Sequence, residues 1–310
     1  MRIAILGATS QIARDLVQSF AENSNFTLVL YARRPLAVQD WLAKVNLTDR
    51  YEVNGFEAFG AHEQFDAIMN FVGVGNPAQA KAMGASIFDV TLKYDDMALD
   101  YLRQHPTCRY IFLSSGAAYG GNFDTPVDDN TSATFPINNL QPQDWYGVAK
   151  LHAECRHRAL AHLPIVDIRV FNYFSHTQDM DARFLITDIV RAIRDKTVLN
   201  TSAVFIVRDY LHPSDFSSLV SAILTAPATN AVIDAYSKAP IDKLTLLAYM
   251  QASFGLLYQI VQTGAGINAT GSKPHYYSLN TNGTRFGYQP RLSSLDGLET
   301  EVRVSVDKKV

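Results

Sequence analysis

A tyrosine and a lysine stand four residues apart near the start of a predicted helix, and this pair could do acid–base chemistry. The helix is predicted over Tyr146–His162, and the spacing places Tyr146 and Lys150 on one face, about one turn apart. An ammonium beside a phenol stabilises the phenolate and lowers the pKa of the tyrosine. Tyr146 could therefore act as a general acid and base near neutral pH, although the same spacing also occurs in ordinary surface helices.

Two serines end an upstream apolar strand, which is predicted over Tyr110–Ser114. Open α/β sheets bind their ligands at the carboxyl ends of the parallel strands, which is where Ser115 would lie. From there its hydroxyl could contact a substrate alcohol or carbonyl oxygen together with Tyr146. Small polar residues also end strands for structural reasons, so both interpretations of Ser114 and Ser115 stay open.

The first predicted strand, Arg2–Leu6, runs into a turn of small residues that opens a helix. Only small residues let backbone N–H groups at a helix N-terminus approach a pyrophosphate closely. The residues expected to contact a cofactor in this loop are Gly7, Thr9, Ser10, Gln11 and Ile12. Ser10 and Ala13 stand where the dinucleotide fingerprint usually has further glycines, which leaves the strength of cofactor binding open.

The end of the second predicted strand, Thr27–Tyr31, indicates which dinucleotide would bind. An acidic residue there usually binds the ribose 2′-hydroxyl of NAD, whereas an arginine accommodates the 2′-phosphate of NADP. Arg33 and Arg34 follow this strand, and no Asp or Glu stands beside them. The sequence therefore favours NADP, with NAD as the alternative, unless the two arginines are simply a solvated strand end.

The elements that position these residues alternate between short apolar strands and helices through the first half of the chain. This alternation predicts an α/β fold, a Rossmann-type doubly wound parallel sheet. After Asn172 the pattern loosens, with polar stretches at Gly264–Lys273 and Asn280–Gly287, which predicts a smaller irregular α/β substrate lobe. One strand–helix unit, Ala203–Ala226, is expected to return to the sheet. The predicted dinucleotide-binding domain is 1–171 plus 203–228, and the substrate-binding lobe is 172–202 plus 229–310.

The composition of the 310-residue chain argues against several classes of function. Lys and Arg number 27 and Asp and Glu number 30, for a net charge of −3, which disfavours nucleic acids and anionic membranes as partners. Cys108 and Cys155 form neither a disulfide framework nor a metal-binding spacing, so we expect no metal. No apolar run approaches the roughly 18 residues that a membrane span needs. We therefore expect a cytoplasmic protein.

Five blocks of the sequence together resemble the extended short-chain dehydrogenase/reductase family of nucleotide-sugar epimerases, dehydratases and reductases. In chain order the blocks are the Gly7 loop, Ser114 to Gly120, Tyr146 to Lys150, Arg169 to Asn172, and Arg208 to Asp215. The resemblance spans nearly the whole chain and implies an enzyme with a nicotinamide cofactor and a nucleoside-diphosphate sugar as substrate. Relatives often form homodimers through two helices, and Tyr94–Gln104 with Tyr146–His162 could serve here.

The resemblance implies a role for each matching residue around the reacting atoms. Tyr146 would be the general acid/base, Lys150 would lower its pKa and hold the nicotinamide ribose, and Ser115 would orient the reacting oxygen. The residues expected to pass behind the cofactor are Phe71, Val72 and Gly73.

The resemblance also places two residues near the substrate diphosphate, Asn172 and Arg208. An ion pair of Arg208 with Asp209 or Asp215, which would only stabilise the fold, is an equal alternative. Further candidates for a substrate phosphate are Lys273 and Arg285, for which surface charge is an equally good explanation.

The residue after Ser115 narrows the chemistry that the resemblance implies. Related dehydratases carry Asp-Glu there and epimerising reductases carry Cys, whereas this chain has Gly116-Ala117, so both activities are disfavoured. Because no acidic residue follows the second strand, the expected reaction is reduction of a 4-keto sugar by hydride transfer from NADPH. The alternative is an NAD-dependent 4-epimerase. A second alternative is a non-catalytic NADP-binding regulatory protein, which the intact set of Ser115, Tyr146 and Lys150 disfavours.

Overall fold

The computed structural model describes residues 1–23, 26–74, 80, 82–261 and 273–307. Its strands in chain order are β1 (Arg2–Leu6), β2 (Thr27–Tyr31), β3 (Glu52–Asn54), β4 (Ala67–Asn70), β5 (Arg109–Ser115), β6 (Ile165–Val170), β7 (Asn172–Tyr173), β8 (Val198–Ser202), β9 (Val207–Arg208), β10 (Tyr210–Leu211), β11 (Ala231–Asp234), β12 (Ile241–Asp242), β13 (Leu257–Val261) and β14 (His275–Tyr276). Its longer helices are α1 (Gln11–Asn23), α2 (Pro35–Lys44), α3 (Ser86–Gln104), α4 (Pro142–Ala159), α5 (Leu185–Asp195), α6 (Pro213–Thr225), α7 (Lys243–Phe254) and α8 (Ser294–Asp307).

Seven strands form the central sheet of the described residues, in the order β11-β6-β5-β4-β1-β2-β3. Every neighbouring pair in this sheet is parallel. The apolar side chains of β1 and β4 are fully buried, as expected for strands covered on both faces. Helices α1, α2 and α6 pack on one face of the sheet, while α3 and α4 pack on the other. The predicted doubly wound α/β fold is confirmed.

The remaining strands form small sheets of two or three strands. β7 pairs with β10, β8 pairs with β13, and β9 lies between β12 and β14. A separate apolar cluster is built mainly from α5, α7 and α8. Of the predicted polar stretch Gly264–Lys273, all but Lys273 lies outside the described residues. None of the described helices combines the length and the apolar character needed to cross a membrane.

The structure corrects the prediction that the strand–helix unit over Ala203–Ala226 returns to the sheet. Its helix, α6, packs on the sheet with α1, but the strands before it, β9 and β10, pair outside the central sheet. The strand that returns is β11, which follows α6 and pairs in parallel with β6. This strand lies in the segment predicted to belong to the substrate lobe. It has only four residues, too few for a pattern to distinguish it from the surrounding loops.

The helix that carries Tyr146 and Lys150 begins earlier than the sequence pattern predicts. Its first residue is Pro142, a residue well suited to the first helical turn because its missing N–H needs no partner there. The Asp144 carboxylate accepts a hydrogen bond of 2.9 Å from the backbone N–H of Gln141, which fixes this start. Tyr146 therefore lies in the second turn of α4 rather than at its beginning.

Candidate active site

The turn after β1 closely contacts the segment that follows β4. Gly7 has a φ of +84°, and a Cβ placed on it would lie 2.8 Å from the backbone N of Val72 and 2.9 Å from the carbonyl carbon of Phe71. Only glycine fits this conformation and this approach without strain. The structure thus brings together Gly7, Phe71 and Val72, which the sequence analysis placed around one cofactor.

The other predicted loop residues lie where this turn enters α1. The N–H of Ser10 donates to the carbonyl of Gly7 at 2.9 Å, which closes the turn one residue before the helix begins. The loop residues from Thr9 to Ile12 are partly exposed at this helix N-terminus, where backbone N–H groups favour an anion. The side chain of Gln11 is already engaged, because its amide donates to the hydroxyl of Ser175 at 2.9 Å.

Arg33 and Arg34 are exposed just beyond β2, where the sequence analysis placed a 2′-phosphate. A third arginine, Arg14 on α1, stacks 5.4 Å from the centre of the Trp41 ring, and its Nε is buried without a hydrogen-bond partner among the described residues. Burial and the charge of Arg34 lower the pKa of Arg14. Within the described ranges, none of the three arginines forms an ion pair. The sequence analysis did not name Arg14 as a candidate. Its position in the sequence, one helical turn after the loop, could have indicated it.

The Ser115 hydroxyl lies at the end of β5 between two tyrosines. It accepts a hydrogen bond of 3.1 Å from the N–H of Ala117 and lies 3.4 Å from the hydroxyl of Tyr276. Burial raises the pKa of Tyr146, and a hydrogen bond with Ser115 offsets part of this rise. Ser115 and Tyr146 are therefore neighbours, as predicted. The placement of Tyr276 beside them was not predicted.

Lys150 lies between Tyr146 and the segment that the sequence analysis placed behind a cofactor. Its ammonium donates to the carbonyl of Leu113 at 2.7 Å and lies 5.9 Å from the centre of the Tyr146 ring. A Cβ on Gly73 would lie 3.6 Å from the same nitrogen, so the predicted segment behind the cofactor passes directly over Lys150. Burial lowers the pKa of Lys150 to about 8, although the negative charge of Glu154 opposes this.

The side chain of Asn172 forms hydrogen bonds with the backbone of two other segments. Its amide nitrogen donates to the backbone carbonyls of Asp209 at 3.3 Å and of Tyr276 at 3.1 Å. These bonds hold β7 to the two segments that carry Arg208 and Tyr276. The side chain thus positions its neighbours, and any contact of Asn172 with a substrate stays a prediction.

The guanidinium of Arg208 does not form the ion pair that was considered as an alternative. It donates to the backbone carbonyls of Val207 and Lys273 at 2.8 and 2.7 Å, and it has no carboxylate within 4.0 Å among the described residues. Asp209 and Asp215 instead accept hydrogen bonds from backbone and hydroxyl groups. The alternative of a pair with either aspartate is therefore wrong.

Lys273 lies beside Arg208 and packs over two aromatic rings. Its ammonium is 4.7 Å from the ring centre of Tyr276 and 4.9 Å from that of Phe123. Burial and the nearby charge of Arg208 lower the pKa of Lys273 to about 8. Arg285, the other candidate, is exposed and lies over the ring of Phe286 instead. Two neighbouring cations without a carboxylate partner in the described part of the chain suit a ligand with two negative charges.

A profile of the NAD dependent epimerase/dehydratase family matches residues 3–237. These residues include the Gly7 turn and the Ser115, Tyr146 and Lys150 group. The chain belongs to this family. The resemblance that the five sequence blocks indicated is thereby confirmed.

Two UDP-glucose 4-epimerases of Oryza sativa subsp. japonica are similar to this family member in sequence. UDP-glucose 4-epimerase 4 is 30% identical over 177 residues, which cover 54% of this chain and 40% of the relative. UDP-glucose 4-epimerase 2 is 31% identical over 139 residues, which cover 42% of this chain and 30% of the relative. The match thus spans less than half the length of these curated relatives.

Solved structures of nucleotide-sugar enzymes share the fold. UDP-glucuronic acid 4-epimerase from Bacillus cereus, in complex with NAD, superposes with a TM-score of 0.76 at 17% identity over 99% of both chains. UDP-glucose 4-epimerase from Stenotrophomonas maltophila, with NAD and formylated UDP-arabinopyranose, gives 0.81 at 16% identity over 98% of both chains. dTDP-glucose 4,6-dehydratase from Bacillus anthracis gives 0.75 at 15%, over 98% of this chain and 96% of that one. At these identities the likeness shows the fold alone.

Gly116 distinguishes this family member from chains that carry an acid or a thiol after the serine. A Cβ on Gly116 would lie 2.4 Å from the ring of Phe171. A carboxylate or cysteine side chain has no room there unless Phe171 moves. The structure therefore gives a steric reason for the glycine that the sequence analysis used against dehydration.

A buried ion network that sequence reasoning missed holds the end of β5 in place. Glu154 accepts a hydrogen bond from the hydroxyl of Ser114 and a bidentate pair from Arg169, whose Nε and Nη2 donate to its two carboxylate oxygens. Arg169 also donates to the hydroxyl of Tyr119 at 2.7 Å. Bidentate arginine–carboxylate pairs fix geometry as well as charge, so this network positions the backbone next to Ser115.

Proposed function

We propose that the protein interconverts the C4 epimers of a nucleoside-diphosphate sugar with a bound nicotinamide dinucleotide. The observation that carries this proposal is the arrangement around Tyr276. Ser115, with Tyr146 beside it, lies at the hydroxyl of Tyr276, and the cations Arg208 and Lys273, which form no ion pair within the described residues, lie over its ring. The 4-epimerase activity in the names of the curated relatives supports this reaction over the ketone reduction that the sequence analysis favoured.

The residues present fit a nicotinamide dinucleotide, which supplies hydride acceptance and return at C4 when bound. Gly7 leaves room for a backbone approach at the N-terminus of α1, and Lys150 faces the segment at Gly73. Tyr146 takes the proton from the C4 hydroxyl and later returns it, while Ser115 orients the oxygen. The ammonium of Lys150 favours the phenolate of Tyr146 by its positive charge.

The cationic pair of Arg208 and Lys273 would bind the diphosphate of the substrate. A diphosphate bound there leaves the attached sugar to extend along the Tyr276 ring toward Ser115. Elimination of water is disfavoured in this arrangement, because the residues after Ser115 are Gly116 and Ala117, which supply no acid or base for it.

A second candidate function is the reduction of a 4-keto sugar nucleotide by NADPH, and one observation favours it. Arg33 and Arg34 follow β2 in the sequence, with no acidic residue beside them to bind a ribose 2′-hydroxyl, and the charge of Arg34 acts on Arg14. A cluster of arginines suits the 2′-phosphate of NADP. Binding of NADPH and NADH to wild type and to Arg14→Gln and Arg33→Ala, followed by nicotinamide fluorescence, tests this site.

Product analysis separates the two functions. Purified protein is incubated with UDP-glucose and NAD, or with a 4-keto-6-deoxyhexose nucleotide and NADPH, and products are identified by NMR. The 4-epimerase proposal expects UDP-galactose without net change in cofactor. Stoichiometric oxidation of NADPH with the ketone would instead establish the reductase. Binding of nucleotides without turnover, unchanged in Tyr146→Phe, would point to the non-catalytic alternative.

A further inference from the structure

Three charged side chains form a buried row behind the candidate active site. His157 on α4 lies between Asp95 of α3 and Asp167 of β6, and all three side chains are fully buried. The imidazole Nε2 is 2.7 Å from an Asp95 oxygen, and Nδ1 is 2.6 Å from an Asp167 oxygen. Because each ring nitrogen faces a carboxylate, both act as donors and the ring is an imidazolium. Burial alone would lower the pKa of His157, but the two aspartates raise it to about 9.

This row is unexpected if only stability is considered. Buried ion pairs lose the solvation of their charges, and apolar residues of similar volume are often equally stabilising or better. The outer oxygens of the aspartates are held by Arg156 at 2.8 Å and Arg158 at 2.9 Å. Three fully buried charged residues, held by two partly exposed arginines, point to a role beyond filling space.

A single aromatic ring separates this row from Lys150. The Phe112 ring lies 4.3 Å from the Lys150 ammonium, and its centre is 5.2 Å from that of His157. The apolar ring screens charge poorly, so the charges on both sides influence one another. The negative charges of Asp95 and Asp167 act on Lys150 across this distance and stabilise its ammonium.

We propose that Asp95, His157 and Asp167 form a charge-positioning triad, which sets the protonation of Lys150 in the candidate active site. The triad touches neither substrate nor cofactor and acts only through Lys150. Its catalytic relevance rests on the proposed function, but its effect on Lys150 does not.

The charges facing Lys150 determine in which direction its pKa should change when each member of the triad is replaced. They are Glu154 from its own helix, Asp95 from α3 and Asp167 from β6, with the Tyr146 phenol beside them. The imidazolium of His157 cancels part of the negative charge of the two aspartates. Removing an aspartate charge should therefore lower the pKa of Lys150, and removing the histidine charge should raise it. A merely structural defect would not produce opposite shifts.

The experiment follows Lys150 directly by NMR in protein with carbon-13 at lysine Cε, and the Lys150 signal is identified by its loss in Lys150→Arg. Asp95→Asn should move the titration midpoint of Lys150 down by about half a pH unit or more, and His157→Gln should move it up by a similar amount. Asp96→Asn is the matched control, because Asp96 is adjacent in sequence and also pairs with Arg156 but is half exposed at the surface. That control should leave the midpoint unchanged.

Shifts in the same direction for Asp95→Asn and His157→Gln, or no shift in either, overturn the triad. If Asp95→Asn does not fold, Asp167→Asn carries the same expected sign. The titration uses the protein without substrate or cofactor. If the protein epimerises no sugar, that result counts against the proposed function and leaves the test of the triad valid. Where turnover is present, the pH dependence of kcat/KM should move with the NMR midpoint.

Discussion

Arg208 and Lys273 lie over the same ring, that of Tyr276, with the guanidinium carbon 5.9 Å and the ammonium nitrogen 4.7 Å from its centre. The backbone carbonyl of Lys273 also accepts a hydrogen bond of 2.7 Å from Arg208. Among the described residues, no carboxylate lies within 4.0 Å of either cation, so the fold itself holds two like charges together. A bound dianion would relieve their repulsion.

Neutralising either cation should weaken the binding of UDP. A hydrogen bond to a charged group contributes about 1.5–3 kcal/mol, so Arg208→Gln and Lys273→Gln should each raise the Kd about 10- to 100-fold. Isothermal titration calorimetry with UDP measures this effect. The control is Arg285→Gln, whose side chain is exposed. Unchanged affinity in both site variants would contradict the anion site.

The pKa of Lys273, about 8 because of burial and the neighbouring Arg208, predicts how UDP affinity depends on pH. An anion binds the protonated ammonium more tightly, so binding raises this pKa further. UDP affinity should therefore decrease as the pH rises above about 8, whereas any change at about pH 6 belongs to the second ionisation of the terminal phosphate of UDP. In Lys273→Gln this decrease should disappear. Persistence of the same decrease in the variant would assign it to another group.

The hydroxyl of Tyr146 should be essential for turnover but not for cofactor binding. Tyr146→Phe keeps the ring and removes the proton carrier, so kcat should decrease about 10²- to 10⁴-fold. Nicotinamide fluorescence should report the same dinucleotide affinity in both proteins. Turnover within a fewfold of wild type would exclude Tyr146 as the acid/base.

Gly7 should tolerate no side chain, because its Cβ would clash with the backbone of Phe71 and Val72. Gly7→Ala combines this clash with a φ of +84° and should cost at least about 1–3 kcal/mol of unfolding free energy. Urea denaturation measures the loss. Gly121→Ala is the matched control, because a Cβ there meets nothing within 4 Å. Equal effects at the two glycines would refute the close-approach argument.

Glu301 on α8 links two histidines, because its carboxylate oxygens lie 2.7 Å from His176 Nδ1 and 2.9 Å from His212 Nε2. Although burial raises the pKa of Glu301, these hydrogen bonds lower it to about 2, from an ordinary value of 4.5. A lowered native pKa contributes stability that is fully present above the ordinary value and is lost as the pH falls toward 2.

Replacement of this carboxylate should therefore destabilise the protein in a pH-dependent way. Glu301→Gln should lower the unfolding free energy at pH 7 by about 1.5–3 kcal/mol, and the difference from wild type should narrow below pH 4.5. Urea denaturation at pH 7 and at pH 3.5 tests both statements. A difference that stays constant between these values would mean that the ionised carboxylate is not the source of the stability.

Local sequence patterns were sufficient to predict the first strands and the loop that follows β1. The bounds of β1 and β2 agree with the prediction residue for residue, because continuous apolar runs followed by a small residue mark such strands. The neighbourhood of Ser115 and Tyr146 also followed from local motifs, since the carboxyl ends of parallel strands meet at one edge.

The second half of the site depends on contacts between distant segments, which no local pattern encodes. Arg208 and Lys273 meet because β9 pairs with β14, which brings together residues 65 positions apart. The same holds for Tyr276 beside Ser115, 161 positions away. The apolar–polar pattern of such short strands is too weak to predict their pairing.

β11 covers the edge of β6 and is the last of the described central strands to be synthesised. While residues 231–234 are still inside the ribosome, the emerged chain carries an open β6 edge, and an unpaired edge can template pairing with another chain. A fragment that ends at residue 228 keeps that edge open permanently. Such a fragment should self-associate during expression, whereas one extended through Asp234 can close its own sheet.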